Sequence, residues 1–116
     1  MTMQRAKLAD IQYVASSAGS IYSNPASTKT YVRELVLFNA GVAVETVKLY
    51  NVPDSAGSVG TAAAANQFAE ITLAVKETLM IEFKHPIVLT DTNDSIQAST
   101  TTASAVTVML SGDKDA

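Results

Sequence analysis

The chain reads as an all-β protein: an antiparallel β-sandwich or jelly roll of about eight strands with a short N-terminal arm. Three observations predict this. Short Val/Thr-rich segments of alternating polarity follow one another from Lys29 to Ser111. Turn-forming residues such as Asn24-Pro25, Ala40-Gly41 and the stretch Asp91 to Asp94 separate them. No segment carries the apolar period of an amphipathic helix. Short strands at spacings of roughly ten residues, punctuated by turn signals, fit a sandwich better than a strand–helix alternation. The pattern leaves the strand order open.

Residues 1–8 are polar and mixed, and read as an arm. Residues 9–14 (ADIQYV) and 20–24 (SIYSN) read as short strands separated by SSAG. Asn24-Pro25 ends that run. Lys29 to Asn39 is the clearest strand. Both of its faces are apolar near the end, through Leu35, Val36, Leu37 and Phe38, which predicts a central strand covered on both sides. Ala40-Gly41 turns the chain into Val42 to Val52, with Val47 and Leu49 on one face and Thr46, Lys48 and Tyr50 on the other. Pro53 stops it. Residues 53–66 (PDSAGSVGTAAAAN) are one long loop, with room for a short helical turn at the alanines.

Gln67 to Ala74 alternates again, with Phe68 on one face and Ile71 and Leu73 on the other. Lys76-Glu77 is a tight turn. Thr78 to Phe83 is a strand, and His85-Pro86 bends the chain into Ile87-Val88-Leu89. DTND at 91–94 is a turn, because Asp and Asn side chains bond their own backbone there. Ser95 to Ser99 and Ala105 to Leu110 read as a closing hairpin around TTTAS, and residues 113–116 as a solvated tail. The sandwich domain is then 9–112.

Composition narrows the function. A chain of 116 residues fits one domain. At that size folding buries roughly two thirds of the unfolded surface, so a core forms but edges and apolar rims are left for partners. A charged fraction of 16% beside a hydrophobic fraction of 47% is a folded chain's composition. The basic residues Arg5, Lys7, Lys29, Arg33, Lys48, Lys76, Lys84 and Lys114 are scattered and the net charge is -3, which argues against a surface that tracks nucleic-acid phosphates. There are no cysteines, so disulfide frameworks, thiolate metal sites and cysteine catalysis are excluded. No stretch reaches the roughly 20 apolar residues of a membrane helix. The N-terminal MTMQRAKLADIQ has no apolar run behind its charges, so it does not read as a secretory signal.

Candidate chemistry is sparse, and the expectation is a non-enzyme with no cofactor and no metal. His85 is the single histidine, so a His-pair metal site is ruled out and any catalytic triad depends on it alone; its place beside Pro86 fits a bend. Asp91, Asn93 and Asp94 offer oxygens for Ca²⁺, but the EF-hand glycine and distant glutamate are missing. Gly57 and Gly60 in AGSVGTA lack the lysine of a phosphate loop. Glu34, Glu45, Glu70, Glu77 and Glu82 do not cluster in sequence. Some can meet across strands as a glycosidase pair does, but solvated outer faces account for them more simply. Tyr13, Tyr22, Tyr31 and Tyr50 suggest a stacking platform, without the tryptophan or interleaved basic residues such platforms use. Strand edges or a subunit interface suit them better.

The order TYVRELVLFNAGVAVETVKLYNVP, a Gly-rich loop with Asn66, AEITLAVKETLMIEF, PIVLTDTNDSIQAS and a closing AVTVMLSG resembles small β-sandwich virion proteins of tailed bacteriophages. The likeness spans residues 29–112. It implies a structural part of a particle, most specifically a capsid decoration or cement protein that binds the outer shell and staples neighbouring major-capsid subunits. It implies virion localisation after assembly in the host cytoplasm, other virion proteins as partners, and a dimer or trimer. It carries no catalytic residues to transfer.

On that reading Met3, Gln4, Arg5 and Lys7 of the arm lie across an adjacent subunit, and Tyr22, Tyr31, Tyr50 and Phe68 serve as contact residues. Many equivalent sites on a shell would reinforce such a clip. Two alternatives use the same sandwich: a tail, collar or fibre-base component, and a carbohydrate-binding module with an exposed aromatic platform.

Overall fold

Each segment of period-two polarity has one apolar side to bury, and two sheets that turn those sides toward each other bury both at once. A computed structural model describes residues 3–116; residues 1 and 2 of the expected arm lie outside the described residues. The strands are β1 (Met3–Tyr13), β2 (Gly19–Ser23), β3 (Lys29–Asn39), β4 (Glu45–Val52), β5 (Gln67–Leu73), β6 (Thr78–Leu89), β7 (Ser95–Thr100) and β8 (Val106–Asp115). The alanine-rich loop closes with a short 3-10 turn at Ala64–Asn66.

One sheet has the order β1-β8-β3-β6 and the other β2-β7-β4-β5, with every pair antiparallel. Doubling the chain back at the β4–β5 connection brings β3 to β6, β2 to β7 and β1 to β8. Rolling the doubled chain then sends alternate pairs into opposite sheets, which is the jelly-roll connectivity. The core between the sheets contains Leu35 and Leu37 of β3, Val47 and Leu49 of β4, Ile96 of β7, and Val108 and Leu110 of β8, all buried. These are the inward members of the alternation expected from sequence.

Several expectations need correction. Residues 3–8 are no free arm: they are the first half of β1, paired along β8 from Met3 opposite Asp115 to Lys7 opposite Ser111. Residues 113–115 are no solvated tail for the same reason, and Asp113 is buried between β1 and β3. Ser95–Thr100 and Val106–Asp115 are no hairpin, because they lie in different sheets. Among consecutive strands only β4 and β5 pair.

The chain also passes through His85-Pro86 without ending β6. The register jumps from Val32 opposite Ile87 to Glu34 opposite Glu82, so residues 83–86 bulge out of an edge strand and the absent proline N–H breaks no ladder. Finally, β3 is central in its sheet but covered on one side only. Val36 and Phe38 stay partly exposed on the outer face.

Two buried asparagines hold the two ends. At one end Asn24 donates from Nδ2 to the carbonyls of Thr28 (2.8 Å) and Asp91 (3.0 Å) and accepts from Thr30 (2.6 Å). At the other, Asn39 donates to the carbonyls of Ala43, Leu73 and Ala74. The expected acidic turn is a cap as well. Asp94 accepts from the backbone N–H of Asp54 (2.9 Å), Thr90 (3.1 Å) and Asp91 (3.0 Å), which ties the long β4–β5 loop to the β6–β7 turn. Asp94→Ala leaves three N–H groups without their acceptor and is expected to cost about 1–3 kcal/mol. A urea midpoint unchanged in that variant would refute the role.

Candidate assembly surface

The outer face of the β1-β8-β3-β6 sheet carries a group of exposed apolar side chains, among them Tyr13, Met80, Val88 and Met109. Cross-strand partners point to the same face, so the register builds this surface in rows. One row runs Tyr13, Thr107, Phe38, Thr78 across all four strands. The next runs Met109, Val36, Met80, and β1 meets it near Ile11 inside a register shift. Ile11 is 65% exposed, Tyr13 58% and Met80 59%, so these side chains have no cover within the chain.

The third row is charged: Lys7, Ser111, Glu34, Glu82. The fourth runs Arg5, Asp113, Tyr31, Val88.

A bulge sets the geometry between the last two rows. Arg33 is the extra residue of β3, since Val32 faces Gly112 and Glu34 faces Ser111. Its Nε donates to Asp113 Oδ2, while Arg5 Nε lies 3.6 Å from the other oxygen. One nearly buried carboxylate thus holds the extra residue of β3 and ties it to the β1 edge. Opposite the bulge, Gly112 is required: a Cβ there would sit 2.0 Å from the Tyr31 carbonyl oxygen. A shallow cleft of about 370 Å³ runs along this end, between Arg33, Asp113, Glu34 and Glu82. A second recess of about 370 Å³ lies between Lys7, Ala6 and Met109.

Lys7 Nζ is 2.5 Å from Asp10 Oδ1, and that hydrogen bond and charge together raise its pKa above the ordinary lysine value. Glu34 and Glu82 are direct cross-strand partners with no salt bridge to either of them among the described residues. Like charges so placed destabilise the pair. They are the two carboxylates that meet across strands, but they stand side by side on an open face. Glu82 is exposed at the rim of the shallow cleft that both line.

The expected contact residues scatter. Met3, Gln4, Arg5 and Lys7 are exposed along the edge strand β1. Tyr31 joins the outer face just described. Tyr22, expected outside, is only 8% exposed: its hydroxyl hydrogen-bonds Thr30 at 3.0 Å, and Lys114 Nζ lies over its ring. Tyr50 is on the outer face of the other sheet, beside a polar cleft with Lys48 and Thr46. Phe68 is the extra residue of a bulge in β5 and meets Phe83 edge-on at 6.3 Å across the seam between the sheets. The four aromatic residues therefore form no common platform.

Tyr13 was named with the other tyrosines as a strand-edge or subunit-interface residue, whereas Ile11, Met80 and Met109 were not singled out from sequence as contact residues. The available signal was apolar residues at both parities of β3 and a methionine at an outward position of β6 and of β8. His85 is exposed at the β6 bulge, and the Asp91–Asp94 carboxylate chemistry goes into the cap.

The fold and its surface define an all-β sandwich of two four-stranded antiparallel sheets. No protein-family model matches the chain, and neither a curated protein nor a solved structure was found to match it.

Proposed function

We propose that this chain is a structural module that works through surface contacts, and specifically a virion protein of the capsid-decoration type. One observation carries the first part. The central strand β3 has apolar side chains on both faces, and only one face is covered within the chain. Monomers seldom leave a contiguous apolar strip of this kind open unless something docks on it. Meanwhile the buried polar groups Asn24, Asn39, Glu45 and Gln97 are all engaged in hydrogen bonds that hold loops and strands.

The second part rests on the resemblance of residues 29–112 to phage virion proteins, and on analogy: jelly rolls are a recurrent architecture of capsid and lectin domains, although a fold alone assigns no function. Under this reading the exposed edge strand β1, with Met3, Gln4, Arg5 and Lys7, contacts the major capsid protein, through main-chain pairing or side chains. The carbohydrate-binding alternative loses its motivating feature, because Tyr22, Tyr31, Tyr50 and Phe68 do not share a surface.

Immunogold labelling of intact particles from the source phage, with antibody to the purified protein, tests the proposal. Even label over the head is expected. Label confined to the tail or collar moves the protein to that alternative, and no label on particles refutes the virion reading.

A further inference from the structure

We infer that the outer face of the β1-β8-β3-β6 sheet is a homodimer interface, closed by a second copy packed face to face about a two-fold axis parallel to the strands. The inference rests on reading that face as an assembly surface and names its occupant. Its ground is the charge order of the third row. Lys7 stands at the β1 end, and Glu34 and Glu82 stand together at the β3 and β6 end.

A two-fold parallel to the strands lays β1 over the partner's β6 and β8 over the partner's β3, and keeps each row over itself. Lys7 then meets the partner's Glu82, twice by symmetry. The like-charge pair shares its cleft with Arg5 and Arg33, which are both turned to Asp113, and gains a direct counter-charge from the second copy. The same operation lays Met109 over the partner's Val36 and Ile11 over the partner's Met80, so the apolar rows bury each other.

The other in-plane axis, perpendicular to the strands, is worse. It reverses the row order and sets the glutamates over the apolar row, which buries charges without partners. Lys7 has its own contact with Asp10, but both side chains are largely exposed, and such pairs exchange at little cost. The rows span four strands about 4.8 Å apart and about 20 Å along the strands. The contact therefore covers about 400 Å² of each copy, under the roughly 800 Å² a side of a stable interface, and a weak, transient dimer is expected.

Sedimentation equilibrium of the full chain at low and high salt tests this. The wild type is expected to form a reversible dimer that weakens with salt. Lys7→Glu and Glu82→Lys are each expected to weaken it at least tenfold, and the double variant to return within about threefold of the wild type. Circular dichroism melts confirm that the variants fold. A wild type that is monomeric at 1 mM, or a double variant no tighter than the single ones, overturns the inference. A monomer that still labels phage heads removes the dimer and leaves the assembly reading in place; a swap-rescued dimer that labels no particle does the reverse.

Discussion

Asn39→Ala is expected to destabilise the protein by about 3–5 kcal/mol, a large share of the roughly 5–15 kcal/mol that holds a domain of this kind together. The side chain is fully buried at the end of β3. Its amide hydrogens are shared among the carbonyls of Ala43 (2.8 Å), Leu73 (3.2 Å) and Ala74 (3.2 Å), and its carbonyl accepts from the Gly41 N–H at 3.0 Å. The backbone of the same residue bonds Glu77 and Lys76. One residue of the first sheet therefore holds the β3–β4 and β5–β6 connections together, and β5 belongs to the second sheet.

Alanine leaves those groups buried and unpaired. Asn39→Asp, with the same shape, exchanges the donor for a carboxylate aimed at three carbonyl oxygens and is expected to be at least as damaging. Thermal melts should show a loss of roughly 10–20 °C. A loss below about 1 kcal/mol in both variants would mean that the connections hold without this network.

Gly112→Ala is expected to cost about 2–4 kcal/mol through overpacking against backbone. The added methyl would lie 2.0 Å from the Tyr31 carbonyl oxygen and 3.1 Å from the Arg33 nitrogen, and neither is the end of a flexible side chain. Relief requires β3 and β8 to separate where the Arg33 bulge brings them close, so the contact between Arg33 and Asp113 goes too. Gly19→Ala is the matched control. Its Cβ meets nothing nearer than 3.9 Å, at Ser17, and a change within about 0.5 kcal/mol is expected. Hydrogen exchange at Val32 to Glu34 separates a local opening of the bulge from a global loss of stability. Equal, small effects at Gly112 and Gly19 would show that the close approach is not tight in solution.

The strand positions, the turns and the inward residues were legible because they follow from local rules. Alternation places Val47 and Leu49 inside wherever β4 packs, and Asn24-Pro25 and the acidic turn end strands whatever lies next to them. The long 53–66 loop and its helical turn followed from glycine, proline and alanine spacing in the same way. What failed were readings that needed a neighbour. Residues 3–8 and 113–115 look polar and loose one at a time; they become strand because each completes the other's ladder, more than a hundred residues away along the chain. Asp113 gives no sign of burial until Arg5 and Arg33 flank it.

The candidate surface divides along the same line. Apolar residues on both faces of β3 are visible in the sequence and point to two coverings. Only the sheet order shows that the second covering is absent, and only the register sets Met80 and Met109 beside Val36, and Glu34 beside Glu82. Tyr22 was misplaced because side-chain exposure is not a local property, since its hydroxyl found Thr30 inside the sandwich; Phe68 stays exposed, but a bulge turns its ring toward Phe83 and away from the other aromatics. Local polarity period and turn chemistry act within a few residues and so are written in the chain in order. Pairing, register and the identity of the open face depend on residues far apart in sequence, and exist only once the jelly roll has closed.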